Sequence, residues 1–152
     1  MGQSLSTKLV YGLKVFDADE ESWPYPMDRD TYRTVWPAWV ELDNEDEDDP
    51  QPDDFETQCE SRLRSLFTGP NVSELGFHRA GCTNYLDIYL GFRLFKGRSA
   101  SEFDIQSLTD EWHTARSYKG WQETIAQATE ALNFQVSDDL APPRLWLLAS
   151  YW

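Results

Sequence analysis

The stretch from Asn84 to Lys96, NYLDIYLGFRLFK, most constrains the fold because its apolar residues recur at every second position. This alternation is typical of a β-strand that buries one face. One face carries Leu86, Ile88, Leu90, Phe92 and Leu94, and the other carries Tyr85, Asp87, Tyr89, Gly91, Arg93 and Phe95. The polar second face favours an antiparallel sheet with one solvated side. At about 3.3 Å per residue the strand is long, so we expect it near the centre of its sheet.

Periodic patterns predict the other elements around this strand. Strands are predicted at Thr7–Phe16, Val40–Leu42, Val72–Arg79 and Arg144–Trp152, and helices at Phe55–Phe67, Ile105–Tyr118 and Trp121–Phe134. The residues 80–83 are predicted to turn the chain into the central strand, and the apolar last strand is expected to be buried on both faces. The sequence therefore predicts one α+β domain over residues 1–152, with a mixed or antiparallel sheet and about three helices packed on one face.

The negative charge of the chain is concentrated in one segment. The formal net charge is −14, with +2 in residues 1–16, −15 in residues 17–60 and −1 in residues 61–152. Residues 17–60 hold 17 acids and only two bases, Arg29 and Arg33. Such a field repels a phosphate backbone, so direct binding to nucleic acid is not expected.

The acidic, proline-rich insertion at about residues 17–54 has two parts. Ser22–Trp39 holds three prolines and five aromatic residues, which predicts a long loop held by Trp23, Tyr25, Trp36 and Trp39. Residues 43–54 hold eight acids and no aliphatic or aromatic side chain, so we expect them to be solvated and mobile. Asp53 and Asp54 lie where they favour the start of the following helix.

No catalytic or metal-binding signature is evident. Cys82, His78 and Asp87 are the best candidates for nucleophilic catalysis, but no elbow motif or oxyanion loop accompanies them. The sequence has only two histidines, and no ligand pair has zinc spacing near His113. The acidic run 43–48 lacks the glycine of a calcium loop, and no glycine-rich phosphate loop is present. We therefore expect a protein that is not an enzyme and has no cofactor or metal.

Membrane segments and a disulfide framework are not expected either. The sequence has no apolar run near 18 residues, and its first residues lack the apolar region of a signal peptide. Two cysteines in a chain of 152 residues favour a reducing compartment.

Both ends of the chain carry short motifs that resemble a group of phage proteins. Lys8–Leu13 (KLVYGL) and Trp146–Trp152 (WLLASYW) are similar to the KLAYGY-like start and the WLL-x-SYW-like end of small actinobacteriophage proteins. Asn84–Ser99 and Trp121–Leu132 match the order of a long aliphatic strand, a basic turn and a Trp-initiated helix in that group. The acidic run fits the group poorly. The resemblance implies a phage or prophage accessory protein acting in the cytoplasm of a bacterial host, and it implies no chemistry.

The acidic run supports two interpretations. It is either a solvated loop that adds solubility or a mimic of nucleic-acid phosphates, because adjacent extended residues are about 3.5 Å apart and DNA phosphates on one strand about 3.4 Å. The second predicts a basic host partner, such as a defence nuclease or CRISPR effector, with the oligomeric state left open. The predicted partner-binding residues are Asp43, Glu45, Asp46, Glu47, Asp48, Asp49, Asp53, Asp54, Trp36 and Trp39. The alternative function is a protein–protein interaction module that uses an aromatic surface.

Overall fold

The computed structural model describes residues 5–43, 48–67, 74–82, 85–97, 120–135 and 143–151. These ranges hold six strands and two helices: β1 Leu5–Phe16, β2 Leu42–Asp43, β3 Gln51–Pro52, α1 Phe55–Leu66, β4 Leu75–Cys82, β5 Tyr85–Gly97, α2 Trp121–Ala131 and β6 Arg144–Tyr151. The predicted α+β class is confirmed. The described part has two helices rather than the predicted three, and the predicted helix Ile105–Tyr118 lies outside it.

A four-stranded mixed sheet forms the centre of the fold. β5 pairs antiparallel with β1 and with β4, as expected for a central strand. β1 pairs antiparallel with β6 from Leu5–Tyr151 to Gly12–Arg144. The sheet curls until β4 meets β6 in one parallel pair, Gly81 with Ser150, which closes a small barrel. This closure makes the sheet mixed rather than purely antiparallel.

Two opposed glycines allow β1 and β5 to approach closely. Gly12 pairs with Gly91, and a Cβ built on either residue would collide with the backbone of the other strand. A side chain at either position would push the strands apart, so glycine is required here by space rather than by backbone angle.

The outer face of the sheet is covered by both described helices. Leu90 and Phe92 of β5 are buried together with Ile125 of α2 and Cys59 of α1 in one cluster. The Phe92 ring stacks on Trp121 with centroids 4.4 Å apart. The expectation that helices pack on one face of the sheet is therefore confirmed at Leu90 and Phe92.

The inner face of the sheet is also buried, which corrects the expectation of a solvated second face. Val10, Ala80, Tyr89 and Leu148 form a second cluster with one residue from each strand. The physical reason is the closure between β4 and β6, since a curled sheet encloses its concave side.

Three other local predictions need correction. Ala80–Cys82 belong to β4 rather than to a turn, because they pair with Tyr85–Asp87 of β5. β6 is not buried on both faces, since Leu147 is 60% exposed. The helix predicted at Phe55–Phe67 ends one residue earlier, at the 52% exposed Leu66, because the backbone of Phe67 is extended.

Candidate functional site

The two ends of the acidic segment, residues 41–43 and 48–53, are joined by the antiparallel pairing of β2 with β3 and are both held by α1. We call this feature the acidic hairpin. Leu42 pairs with Pro52 and Asp43 with Gln51. Gln58 of α1 accepts a hydrogen bond from the Glu41 amide at 2.7 Å. Its side-chain amide donates to the carbonyls of Glu41 at 2.9 Å and of Asp53 at 2.6 Å. The expectation of a mobile loop is therefore wrong for the described part of this segment.

The predicted acids in the described part lie at the surface of this hairpin or directly after it. Asp43, Asp48, Asp49, Asp53 and Asp54 are all exposed. Asp54 caps α1 as predicted, since its carboxylate accepts hydrogen bonds from the Thr57 amide at 3.4 Å and the Thr57 hydroxyl at 2.7 Å. Glu45, Asp46 and Glu47 lie outside the described residues. The described carboxylates therefore face solvent on a hairpin whose two ends are hydrogen-bonded to Gln58 of α1.

The two predicted tryptophans pack within the fold. Trp36 contacts Trp23 at 5.5 Å and Tyr25 at 5.4 Å between ring centroids. Trp39 donates its indole N–H to the Asn133 side chain at 2.9 Å, and the Arg62 guanidinium lies 4.9 Å above its ring. Both indoles are half-buried, so each keeps only part of its surface for a partner.

An aromatic cluster lies beside the acidic hairpin in the sequence and holds the insertion to the outer face of the sheet. It consists of Trp23, Tyr25, Trp36, Phe55 and Phe134, with ring centroids 4.8 to 6.5 Å apart in the contacts that Phe55 makes. The Tyr25 hydroxyl donates to the Leu132 carbonyl at 2.8 Å, and burial raises the pKa of Tyr25 far above its ordinary value. Residues predicted to hold the loop therefore do so.

A second hairpin, Pro26–Val35, presents exposed apolar side chains that sequence reasoning did not select. We call it the Tyr32 hairpin. The Asp28 amide donates to the Arg33 carbonyl at 2.8 Å and the Val35 amide to the Pro26 carbonyl at 2.8 Å. The Asp28 carboxylate accepts from the amides of Asp30 and Thr31 at 2.8 and 3.1 Å, and these bonds lower its pKa.

The exposed residues on the Tyr32 hairpin contribute little to the core. Tyr32 is 80% exposed, Met27 61% and Val35 49%. Tyr32 also has a φ of 56°, in the left-handed region that a tyrosine adopts only at a cost. The aspartate of the turn, Asp28, is the sequence signal that would have found this hairpin.

The best candidates for nucleophilic catalysis are not brought together. Cys82 and His78 are four residues apart on β4, which separates them by roughly 13 Å along the strand. The His78 ring lies 3.2 Å from the Gly91 carbonyl, and burial lowers its pKa. Asp87 is bound by the Lys14 ammonium at 3.3 Å and the Ala18 amide at 2.9 Å. His78 and Asp87 therefore make their polar contacts with other groups rather than with each other.

No metal-binding group of three or more His, Cys, Asp or Glu side chains occurs among the described residues. Within the same ranges, no helix has the length and apolarity needed to cross a membrane. Comparison with protein-family models, with curated proteins and with solved structures finds no match for this chain.

Proposed function

We propose that this protein is a non-enzymatic inhibitor that binds a basic, nucleic-acid-binding protein of a bacterial host through the acidic hairpin. The observation that carries the proposal is the attachment of that hairpin by Gln58, which joins both of its ends to α1 by three hydrogen bonds. An attached hairpin loses less conformational entropy on binding than a free acidic tail does. The described carboxylates of the hairpin are therefore held in place before a partner binds.

The residue spacing of an extended acidic chain is compatible with phosphate mimicry. Extended residues follow each other at about 3.5 Å, and DNA carries one charge per about 3.4 Å of each strand. The segment 17–60 carries a net charge of −15. A groove lined with Lys and Arg for a phosphate backbone offers the complementary field.

The resemblance of the chain ends to small actinobacteriophage proteins supports a host defence protein as the target. A phage gains from blocking nucleases that grip its DNA, so CRISPR effectors and restriction enzymes are the partners we propose. The inhibitor would act in the cytoplasm of the bacterial host, and it would compete with DNA for the nuclease rather than bind DNA itself.

The test is a competition assay with purified proteins. A panel of CRISPR effectors and restriction endonucleases from actinobacteria is bound to a fluorescent DNA duplex, and the protein is titrated in at 50 and 300 mM salt. We expect at least one nuclease to release the fluorescent duplex as the protein is added. The inhibition constant should rise steeply between 50 and 300 mM salt. If no nuclease in the panel loses DNA at a hundredfold molar excess and low salt, the proposal is wrong.

The Tyr32 hairpin favours a second candidate function, an interaction module that acts on another host process. Its tip combines exposed apolar residues with two acids and two bases, Asp28, Asp30, Arg29 and Arg33. A rigid tyrosine on a preorganised hairpin is a typical binding hot spot. Salt separates the two candidates, because docking by this near-neutral tip would depend little on ionic strength.

A further inference from the structure

The Tyr32 hairpin extends into solvent from a base that is packed in the aromatic cluster. All of its residues are exposed except Thr34, which is half-buried. The residues on either side of the hairpin, Tyr25 and Trp36, belong to the cluster and lie 5.4 Å apart between ring centroids. An antiparallel bridge between Met27 and Thr34 joins the two arms. The base of the hairpin is therefore fixed while its tip is accessible.

The Tyr32 hairpin is a neutral stretch within the acidic segment. It carries no net charge, whereas residues 17–25 before it carry −4 and residues 36–60 after it carry −11. The hairpin holds two acids and both bases of the segment: Asp28, Asp30, Arg29 and Arg33. Among the described residues, none of these four forms an ion pair. Within the acidic segment, the hairpin is therefore the part that a second acidic protein approaches with the least repulsion.

The charges of the Tyr32 hairpin are complementary to themselves. In a two-fold symmetric contact, residue i of one copy meets residue j of the other, and j meets i. Asp30 of each copy can therefore face Arg33 of the other, which gives two contacts between opposite charges. Asp28 is not counted, because its carboxylate already accepts hydrogen bonds from the turn amides of Asp30 and Thr31. A uniformly basic partner would meet the arginines and a uniformly acidic one the aspartates, so a copy of the same mixed charge fits better than either.

Tyr32 supplies an apolar centre for such a contact. Its side chain is exposed, and its backbone is held in the left-handed region by a hydrogen bond of 2.9 Å from its amide to the Asp28 carbonyl. Tyrosine is enriched at the centres of interfaces, where its ring stacks on a second ring or on a guanidinium. The exposed Met27 and Val35 add apolar surface on the same hairpin.

The length of the hairpin reduces the repulsion between two copies. From Tyr25 to Asp30 an extended chain spans about 16 Å. Two hairpins that meet at their tips hold the two acidic bodies apart by more than the Debye length, which is about 10 Å at 0.1 M salt. The net charge of −14 on each copy is therefore largely screened at this separation.

We propose that the Tyr32 hairpin binds the same hairpin of a second copy of this chain. The contact is two-fold symmetric, with Tyr32 at its centre and reciprocal ion pairs between Asp30 and Arg33. The hairpin is smaller than the roughly 20–30 residues that each side of a standard interface contains, so we expect a weak dimer with a dissociation constant of about 100 µM. This dimer does not depend on binding to a nuclease.

The test is sedimentation equilibrium of the whole chain at about 10 µM to 1 mM and physiological salt. The mass of the parent should rise with concentration from 17.7 kDa toward twice that value. Arg33→Glu and Asp30→Arg should each raise the dissociation constant at least tenfold, because each places like charges opposite one another. An equimolar mixture of the two variants should associate again, because opposite charges then face each other in the mixed dimer.

Two comparisons separate this contact from an effect of total charge. Asp30→Arg makes each copy less negative by two charges, so it would strengthen association if total charge alone mattered. Arg64→Glu changes an exposed arginine of α1 by the same two charges as Arg33→Glu, and it should stay within about threefold of the parent. Thermal unfolding of each variant checks the fold.

Three results would contradict the proposal. The first is a parent that stays at 17.7 kDa up to 1 mM, which would leave the Tyr32 hairpin to a different partner. The second is association like that of the parent in folded Arg33→Glu and Asp30→Arg. The third is a mixture of these two variants that associates no better than either does alone.

Discussion

The acidic hairpin and four of the five residues of the aromatic cluster come from the same strongly charged segment, residues 17–60, yet they use their side chains in opposite ways. The cluster turns its rings toward the sheet and α1, where Tyr25 and Phe55 are 6% and 5% exposed. The hairpin turns its described carboxylates to solvent and attaches itself through backbone groups and one glutamine. The rings therefore stabilise the segment, and the described carboxylates of the hairpin lie at its surface.

This difference means that stability and binding can be changed separately. Removing a ring from the cluster should damage the fold, because buried aromatic area dominates core energetics. Removing charge from the hairpin should leave the fold intact, because surface changes usually stay within about ±0.5 kcal/mol.

Phe55→Ala should have the largest effect. Phe55 is 5% exposed and contacts Trp23, Tyr25, Trp36 and Phe134. Its truncation leaves a cavity in the cluster and should lower the free energy of unfolding by about 3–5 kcal/mol. Urea unfolding followed by tryptophan fluorescence measures the change.

Tyr85→Ala is the matched control for Phe55→Ala. Tyr85 is 58% exposed at the start of β5, so its loss should change the free energy of unfolding by about 0.5 kcal/mol or less. Equal losses in the two variants would show that the aromatic cluster is not what holds the insertion.

Gln58→Leu should have an intermediate effect that is confined to the acidic hairpin. It removes the three hydrogen bonds that attach Glu41 and Asp53, at a cost of about 1–2 kcal/mol. Hydrogen exchange of the Glu41 amide should accelerate, and the apparent affinity for the nuclease should fall because the hairpin must be ordered on binding.

Gln122→Leu, which changes an exposed glutamine of α2, provides the comparison for Gln58→Leu. It should leave both the exchange of the Glu41 amide and the affinity unchanged. A Gln58→Leu protein with parental exchange at Glu41 would show that the hairpin is held by other contacts.

Tyr32→Asn should have the smallest effect on stability and in the opposite direction. Asparagine tolerates the left-handed backbone at φ 56° better than tyrosine does, and a side chain that is 80% exposed gives up little burial. The free energy of unfolding should rise by up to about 1 kcal/mol. If the interaction-module candidate is correct, the same variant loses its partner despite this gain, whereas unchanged partner binding rules out the Tyr32 hairpin as the contact surface.

The sheet strands were predictable because their side chains alternate in the sequence. β1, β5 and β6 lie within two residues of their predicted bounds. The buried inner face was not predictable from β5 alone, since Tyr89 is covered only because β4 and β6 meet through Gly81 and Ser150. A strand's own pattern does not tell whether its sheet curls.

The candidate site was predictable in composition but not in geometry. The acids of 43–54 were selected by charge, and the capping role of Asp54 follows from its place before the helix. The attachment through Gln58 was missed, because one side chain binding two backbone segments has no local sequence signal.

We propose that inhibition of the nuclease depends on where the negative charge lies in the chain and not on the total charge. The first variant replaces Glu45, Asp46, Glu47, Asp48 and Asp49 with Gln or Asn. A control variant of equal net charge replaces Glu74, Glu123, Glu130, Asp138 and Asp139 in the same way. Both should keep parental unfolding temperatures within a few degrees, since these are polar substitutions of similar size.

The most direct measurement is the inhibition constant of the parent and of both variants against the nuclease that responds in the competition assay, at 50 and 300 mM salt. The inhibition constant of the hairpin variant should rise at least tenfold at 50 mM salt, mainly because association is slower. It should also depend less steeply on salt than that of the parent. The control variant should stay within about threefold of the parent, because its charges lie outside the acidic segment of the sequence. Equal losses in the two variants, or no loss in either, would contradict the account.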